Sequence, residues 1–385
     1  MSRSISVCSL ALAAICASTV LASAQVTSSP TDSNLTPAST PVAYVYVSTA
    51  TSGTSGQIRG FSAAANGALT AIARSPFKTN GVNYMAVNGK WLFGTANLNT
   101  DIESFSVAAN GGLTLKDTYN VTPPGPGVTS VYLDHTGSTL YGDFYTTNND
   151  FLSFAINQST GQLNEIGDLA GGPSDNSPVS FIGNNVFAYT SSCYHFGPAI
   201  IGVRRNTDGT LAYLNSFSPP FPAEKSGGFY CPWRAVADPT NHLAAAMEPL
   251  NSNWGQDGAW QLASYTVDAS GNLTTKSTYS NMPSVLVGNV TNYWMSPNGK
   301  FLAVGGSAGF QIFHFNGANP ITKFTGRLTS SPIDQIFWDN ANHVYAISRG
   351  AGKLFVWTVT SGGVTRAPGS PHSIANVQNL IVLPK

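Results

Sequence analysis

Aromatic and polar residues crowd into three stretches of this chain. They are Ser191-Ser-Cys-Tyr-His-Phe-Gly197, the segment 219–233, and Glu248-Pro-Leu-Asn-Ser-Asn-Trp-Gly-Gln-Asp-Gly-Ala-Trp260. With the adjoining Arg234 they bring together Tyr194, His195, Phe196, Phe229, Tyr230, Trp233, Glu248, Trp254 and Asp257. Long loops rich in aromatics on a rigid scaffold are where binding usually resides. Trp233, Trp254, Tyr194, Tyr230 and Asp257 are therefore the candidate ligand contacts. The same rings could instead build a local cap with a small core of its own.

Other chemistries find less material. No histidine pair has H-x-x-x-H spacing and no Cys/His cluster exists, so neither a metal nor another cofactor is expected. No G-x-S-x-G elbow is present. His135, His242 and His343 fall in short turns and read as solvated, and His314 alternates within a strand and reads as structural. Only His195 and His372 fall in loops on the side of the aromatic stretches.

The elements that must hold these loops repeat. A Gly-x-Leu-Thr phrase recurs as Gly67-Ala-Leu-Thr70, Gly112-Leu-Thr114, Gly161-Gln-Leu-Asn164, Gly209-Thr-Leu-Ala212, Gly271-Asn-Leu-Thr274 and Gly363-Val-Thr365. Each copy follows a short alternating apolar run and a turn residue such as Asn66, Asn110 or Asp208. Asn-Gly and Asp-Gly between alternating runs mark β-hairpins. Two further short strands precede each hairpin, and the units recur every 40 to 60 residues or so, the length of a four-stranded propeller blade. Residues 377–383 supply a first strand with nothing after it, and Ala43-Tyr-Val-Tyr-Val-Ser48 a second strand with nothing before it. The expectation is an all-β, seven-bladed β-propeller of four-stranded antiparallel blades over 42–385, closed by pairing of the C-terminal strand with the N-terminal one.

First strands line the channel of a propeller. Tyr84, Ser130, Ser180, Arg234, Tyr293, Gln335 and Asn379 are expected to face it, with Met85, Val131, Phe181, Ala235, Trp294, Ile336 and Leu380 packed between blades. In this topology the loops after second strands and the loops between blades share one face. That places all three aromatic stretches side by side and predicts a disulfide between Cys193 and Cys231.

Acidic and basic residues number 18 each, with only 9% of the chain charged and no basic stripe. Nucleic-acid binding is not supported. Residues 1–24 read as a signal peptide: Arg3, an apolar run, and Ala22-Ser-Ala24. The run is too short for a membrane span, so no transmembrane helix is expected. The Ser/Thr/Pro-rich 25–41 reads as a disordered tether. The expected product is an exported monomer, periplasmic or extracellular.

Tyr44-Val-Tyr-Val47, Ile102-Glu-Ser-Phe-Ser106, Gly271-Asn-Leu-Thr274 and Ser296-Pro-Asn-Gly-Lys-Phe-Leu302 resemble phrases of the seven-bladed lactonase-family propellers. These include 6-phosphogluconolactonase-like proteins and are similar to YVTN-repeat surface propellers. The resemblance covers nearly all of the chain after its leader. It implies catalytic roles for Arg234, which would stabilise an oxyanion, and Glu248, which would activate water. His195 could assist them; the family's histidine-rich phrase has no match here. A structural alternative is an Arg234–Glu248 ion pair tying two loops. Three functions follow from these readings. One is a propeller binding a lactone, a sugar-like molecule or a surface partner through its aromatic face. The others are a lactone hydrolase and a structural cell-surface repeat protein.

Overall fold

The computed structural model describes residues 40–385 except 53, 122–126, 145–150, 171–177, 194–196, 215–219 and 226. The expected signal peptide and all but the end of the expected tether lie outside the described residues. Residues Thr40–Lys385 form one compact unit.

Seven antiparallel sheets make the ring, and no helix occurs among the described residues. Blade 1 joins the two ends of the chain: Val377–Pro384 pairs with Ala43–Ser52, followed by Ser55–Ala63 and Leu69–Ala71. Blades 2 to 7 then follow in chain order, with first strands Met85–Val87, Val128–Leu133, Ser180–Phe181, Phe229–Ala237, Val290–Met295 and Gln335–Trp338. The expected closure is present, with Tyr44 opposite Leu383 and Val47 opposite Leu380.

The repeated hairpin phrase has two jobs. Gly67, Gly111, Gly161, Gly209 and Gly271 all sit at positive φ, between +78° and +96°, where a side chain would be strained. The turn residue's side chain caps the loop, as Asn66 Oδ1 does for the Ala68 amide and Asp208 Oδ1 for Thr210. The hairpins also lock neighbouring blades. Tyr46, Tyr141 and Tyr189, on second strands of blades 1, 3 and 4, each donate a 2.8 Å hydrogen bond to Gly111, Gly209 and Gly271 of the next blade. Apolar seams fill the rest of the space between blades, such as Ala246, Leu262, Tyr293 and Leu302 between blades 5 and 6.

Two expectations are corrected. Tyr293 does not face the channel: it is fully buried in that seam, and Trp294, expected between blades, lines the channel with Asn292. The cause is register. The extra residue of a β-bulge is Gln378 in blade 1 and Thr129 in blade 3, just before the channel-facing Asn379 and Ser130. In blade 6 it is Thr291, one position earlier than the strand pattern suggests, and a one-residue slip exchanges the two faces. His343 is not solvated either. It is fully buried, its Nδ1 2.7 Å from Asp339 Oδ2, which also accepts from the Tyr345 hydroxyl at 2.8 Å.

Candidate functional site at the channel mouth

The first strands enclose a channel of about 920 Å³ whose wall includes Tyr84, Ser130, Trp233, Arg234, Asn292, Trp294 and Arg349. Arg234 owes its place to a local departure from strand geometry. Trp233 pairs with Ala246 and Val236 with Ala244, so a bulge interrupts the strand between them. Within it Arg234 adopts φ +55°, a left-handed conformation that arginine rarely takes. The bulge lets two consecutive residues reach the channel wall, Arg234 half-buried and Trp233 exposed. Ala235 returns to the seam with blade 4.

Burial lowers the Arg234 guanidinium from its usual value, while Tyr293, Asp143 and Tyr84 act to raise it. Arginine keeps its charge under such shifts. Asp143 is the penultimate residue of the second strand of blade 3, fully buried, with Ser130 Oγ on its Oδ2 at 3.3 Å. On blade 7, the Arg349 side chain is steered by its Nε bond to Gln378 O and the backbone by its amide bond to Asp334, both 2.7 Å.

Described parts of the aromatic stretches touch at the junction of blades 4 and 5. Cys193 and Cys231 are joined, tying blade 4 to the first strand of blade 5. Phe229 packs edge-on against Trp254 at 4.8 Å, and Lys225 lies 5.7 Å over the Tyr279 ring. Trp233 is 36% exposed and Trp254 46%.

The candidates named from sequence therefore separate. Trp233 and Arg234 share the channel wall. Glu248 does not belong to it: it is 8% exposed and sits opposite Cys231 in the strand pair. Tyr230 is a core residue, 1% exposed, with its hydroxyl donated to Gln261. Asp257 is exposed, and its amide bonds Pro249 O. His195 and Tyr194 lie outside the described residues. His372 forms a short strand with Leu354, its ring against Phe61, and burial lowers its pKa. Sequence reasoning missed Asp143 and Arg349. Asp143 nears the end of the second strand of blade 3, as Glu248 does in blade 5, and that repeat position was the available signal. No cluster of three potential metal ligands occurs among the described residues.

No protein-family profile matches the chain, and no curated protein does. Solved structures do. A 6-phosphogluconolactonase candidate from Bacteroides uniformis superposes with a TM-score of 0.67 at 14% identity, covering 89% of this chain and 99% of that one. The periplasmic gluconolactonase of Pseudomonas aeruginosa gives 0.66 at 15%, with the same coverage. A second 6-phosphogluconolactonase candidate, from Bacteroides fragilis, gives 0.64 at 16%, covering 89% and 98%. The structural neighbours of this chain are 6-phosphogluconolactonase-like seven-bladed propellers.

Proposed function

We propose that this chain is an exported, lactonase-like propeller that binds a sugar-like small molecule at the channel mouth, with Trp233 stacking on it and Arg234 holding an anionic or carbonyl oxygen. The observation that carries this reading is the bulge that turns a tryptophan and an arginine together into the channel wall. An exposed ring beside a half-buried cation offers a sugar both a face and a charge-assisted hydrogen bond. Export is supported by the leader-like first 24 residues and by the disulfide, which persists in oxidising compartments.

The names of the neighbours favour a second reading, lactone hydrolysis. Arg234 would then stabilise the oxyanion. Glu248 is not among the residues of that wall, so this reading rests on Arg234.

The test is calorimetric titration of the leader-free protein with D-gluconate, together with proton release from D-glucono-1,5-lactone and a panel of other lactones. Binding weakened at least about tenfold in Arg234→Ala, with no turnover above the spontaneous rate, is the expected result. Turnover that vanishes in Arg234→Ala would make the protein a hydrolase at the same site. Neither binding nor turnover, or binding indifferent to Arg234, would overturn both readings.

A further inference from the structure

Tyr293 is a positioning residue for this site, we infer: its hydroxyl, reaching across from blade 6, holds the blade 5 bulge in the shape that presents Trp233 and Arg234 to the channel. The inference rests on the reading that Arg234 faces the ligand. The geometry is specific. Tyr293 Oη lies 2.7 Å from Trp233 O and 2.8 Å from Arg234 O, sharing its one proton between them, and accepts the Ala246 amide at 3.1 Å. These are the backbone groups that a bulge leaves without a regular strand partner, because the ladder is broken between Trp233 and Val236. Buried carbonyls and amides must find partners, and here one side chain answers three of them.

The ring explains why the hydroxyl stays put. Tyr293 is fully buried in the seam, at 0% solvent exposure, in one cluster with Ala244, Ala246, Leu302 and Val304. It points this way because of the bulge at Thr291 in its own strand. One bulge thus directs a tyrosine into the seam, and that tyrosine stabilises a second bulge in the next blade. Arg234 at φ +55° is a strained residue, and such strain persists only where the surroundings over-determine it. The Tyr293 hydroxyl is the over-determining contact visible in the structure. Without it, Arg234 can relax toward extended backbone, which swings the guanidinium off the channel wall.

The test uses Tyr293→Phe, which keeps the ring in the seam. Its control is Tyr265→Phe, another fully buried tyrosine of the blade 5 core whose hydroxyl makes no hydrogen bond to the bulge. Arginine modification by phenylglyoxal, followed residue by residue by peptide mass spectrometry, reads the position of Arg234 without any ligand. Arg234 is expected to react roughly tenfold faster in Tyr293→Phe, as a local opening would produce, with Arg349 unchanged in rate and Tyr265→Phe like wild type. An unchanged Arg234 rate in Tyr293→Phe would overturn the inference. Arg234→Gly gives a second check that does not depend on the first variant folding. Slow hydrogen exchange of the Ala246 amide should survive in it, because the clamp needs only the carbonyls. Lost protection there would show that the arginine side chain, not Tyr293, holds the bulge. Gluconate titration separates the two proposals: Tyr293→Phe should raise Kd as Arg234→Ala does. Faster Arg234 modification in a protein that never binds gluconate would sustain the clamp and sink the function.

Discussion

Charges in this chain are few, and the buried ones show how individual residues are tuned. Glu103 lies on the third strand of blade 2 with no solvent exposure. Its carboxylate accepts the Asn80 side-chain amide at 2.7 Å. Burial raises its pKa, the bonds from Asn80 oppose this, and nearby Asp101 adds to the rise. The folded protein therefore holds the Glu103 proton more tightly than the unfolded chain does. Stability must fall as pH rises from the unfolded value to the raised folded one, and stay lower above it. Glu103→Gln keeps an acceptor for Asn80 and removes the ionisation. The variant should gain on wild type as pH increases from about 4 to about 8, measured as the difference in urea midpoint. A difference that does not change with pH would mean that Glu103 is not the titrating group. Arg234, by contrast, is only partly buried and lies in the channel wall.

Among the elements, the hairpin glycines make a sharper comparison than any single strand. Gly161, at φ +78°, faces the Trp91 ring so closely that a Cβ would lie 2.4 Å from two of its carbons. Trp91 cannot easily give way, since its Nε1 bonds Gln158 O in the same hairpin. Gly89, at φ +93°, has open space where its Cβ would be. Gly89→Ala should cost about 1 kcal/mol, the backbone strain alone. Gly161→Ala should cost about 3 kcal/mol or more, because overpacking adds to it. Equal losses on chemical denaturation would mean that the hairpins do not key the blades together. These glycines are also what made the fold legible: turn chemistry is local, so the repeat and the blade count could be read from the residues. The Cys193–Cys231 bridge followed from topology in the same way. What could not be read depended on register and on distant partners. The bulge at Thr291 moved Tyr293 into the seam, and Asp339 drew His343 out of solvent. Glu248 and Arg234 lie in paired strands, yet only one of them reaches the channel wall.

At the scale of the whole ring, stability depends on a strand that arrives last. Val377–Pro384 is the innermost strand of blade 1 and brings Leu380 and Val382 into the seam with blade 7. It also carries Asn379 to the channel wall. Removing it would leave Ala43–Ser52 without its inner partner and open the ring at an unpaired strand edge, a template for aggregation. In a chain with 9% charged residues, little electrostatic repulsion would oppose that. A chain ending at Asn376 should therefore lose its cooperative unfolding transition and most of its solubility. The missing strand should also act in trans. A synthetic peptide of residues 375–385 supplies the backbone ladder and the alternating Leu380 and Val382 side chains, as strand addition to an open edge requires. Refolding the truncated chain with this peptide should restore a sharp transition, and a peptide carrying Leu380→Asp should not. If the truncated chain unfolds cooperatively at the wild-type midpoint, ring closure is not what holds the molecule together. The channel mouth, whose wall draws on residues from blade 7 and blade 1 as well as blade 5, would then have to be stable without a closed ring.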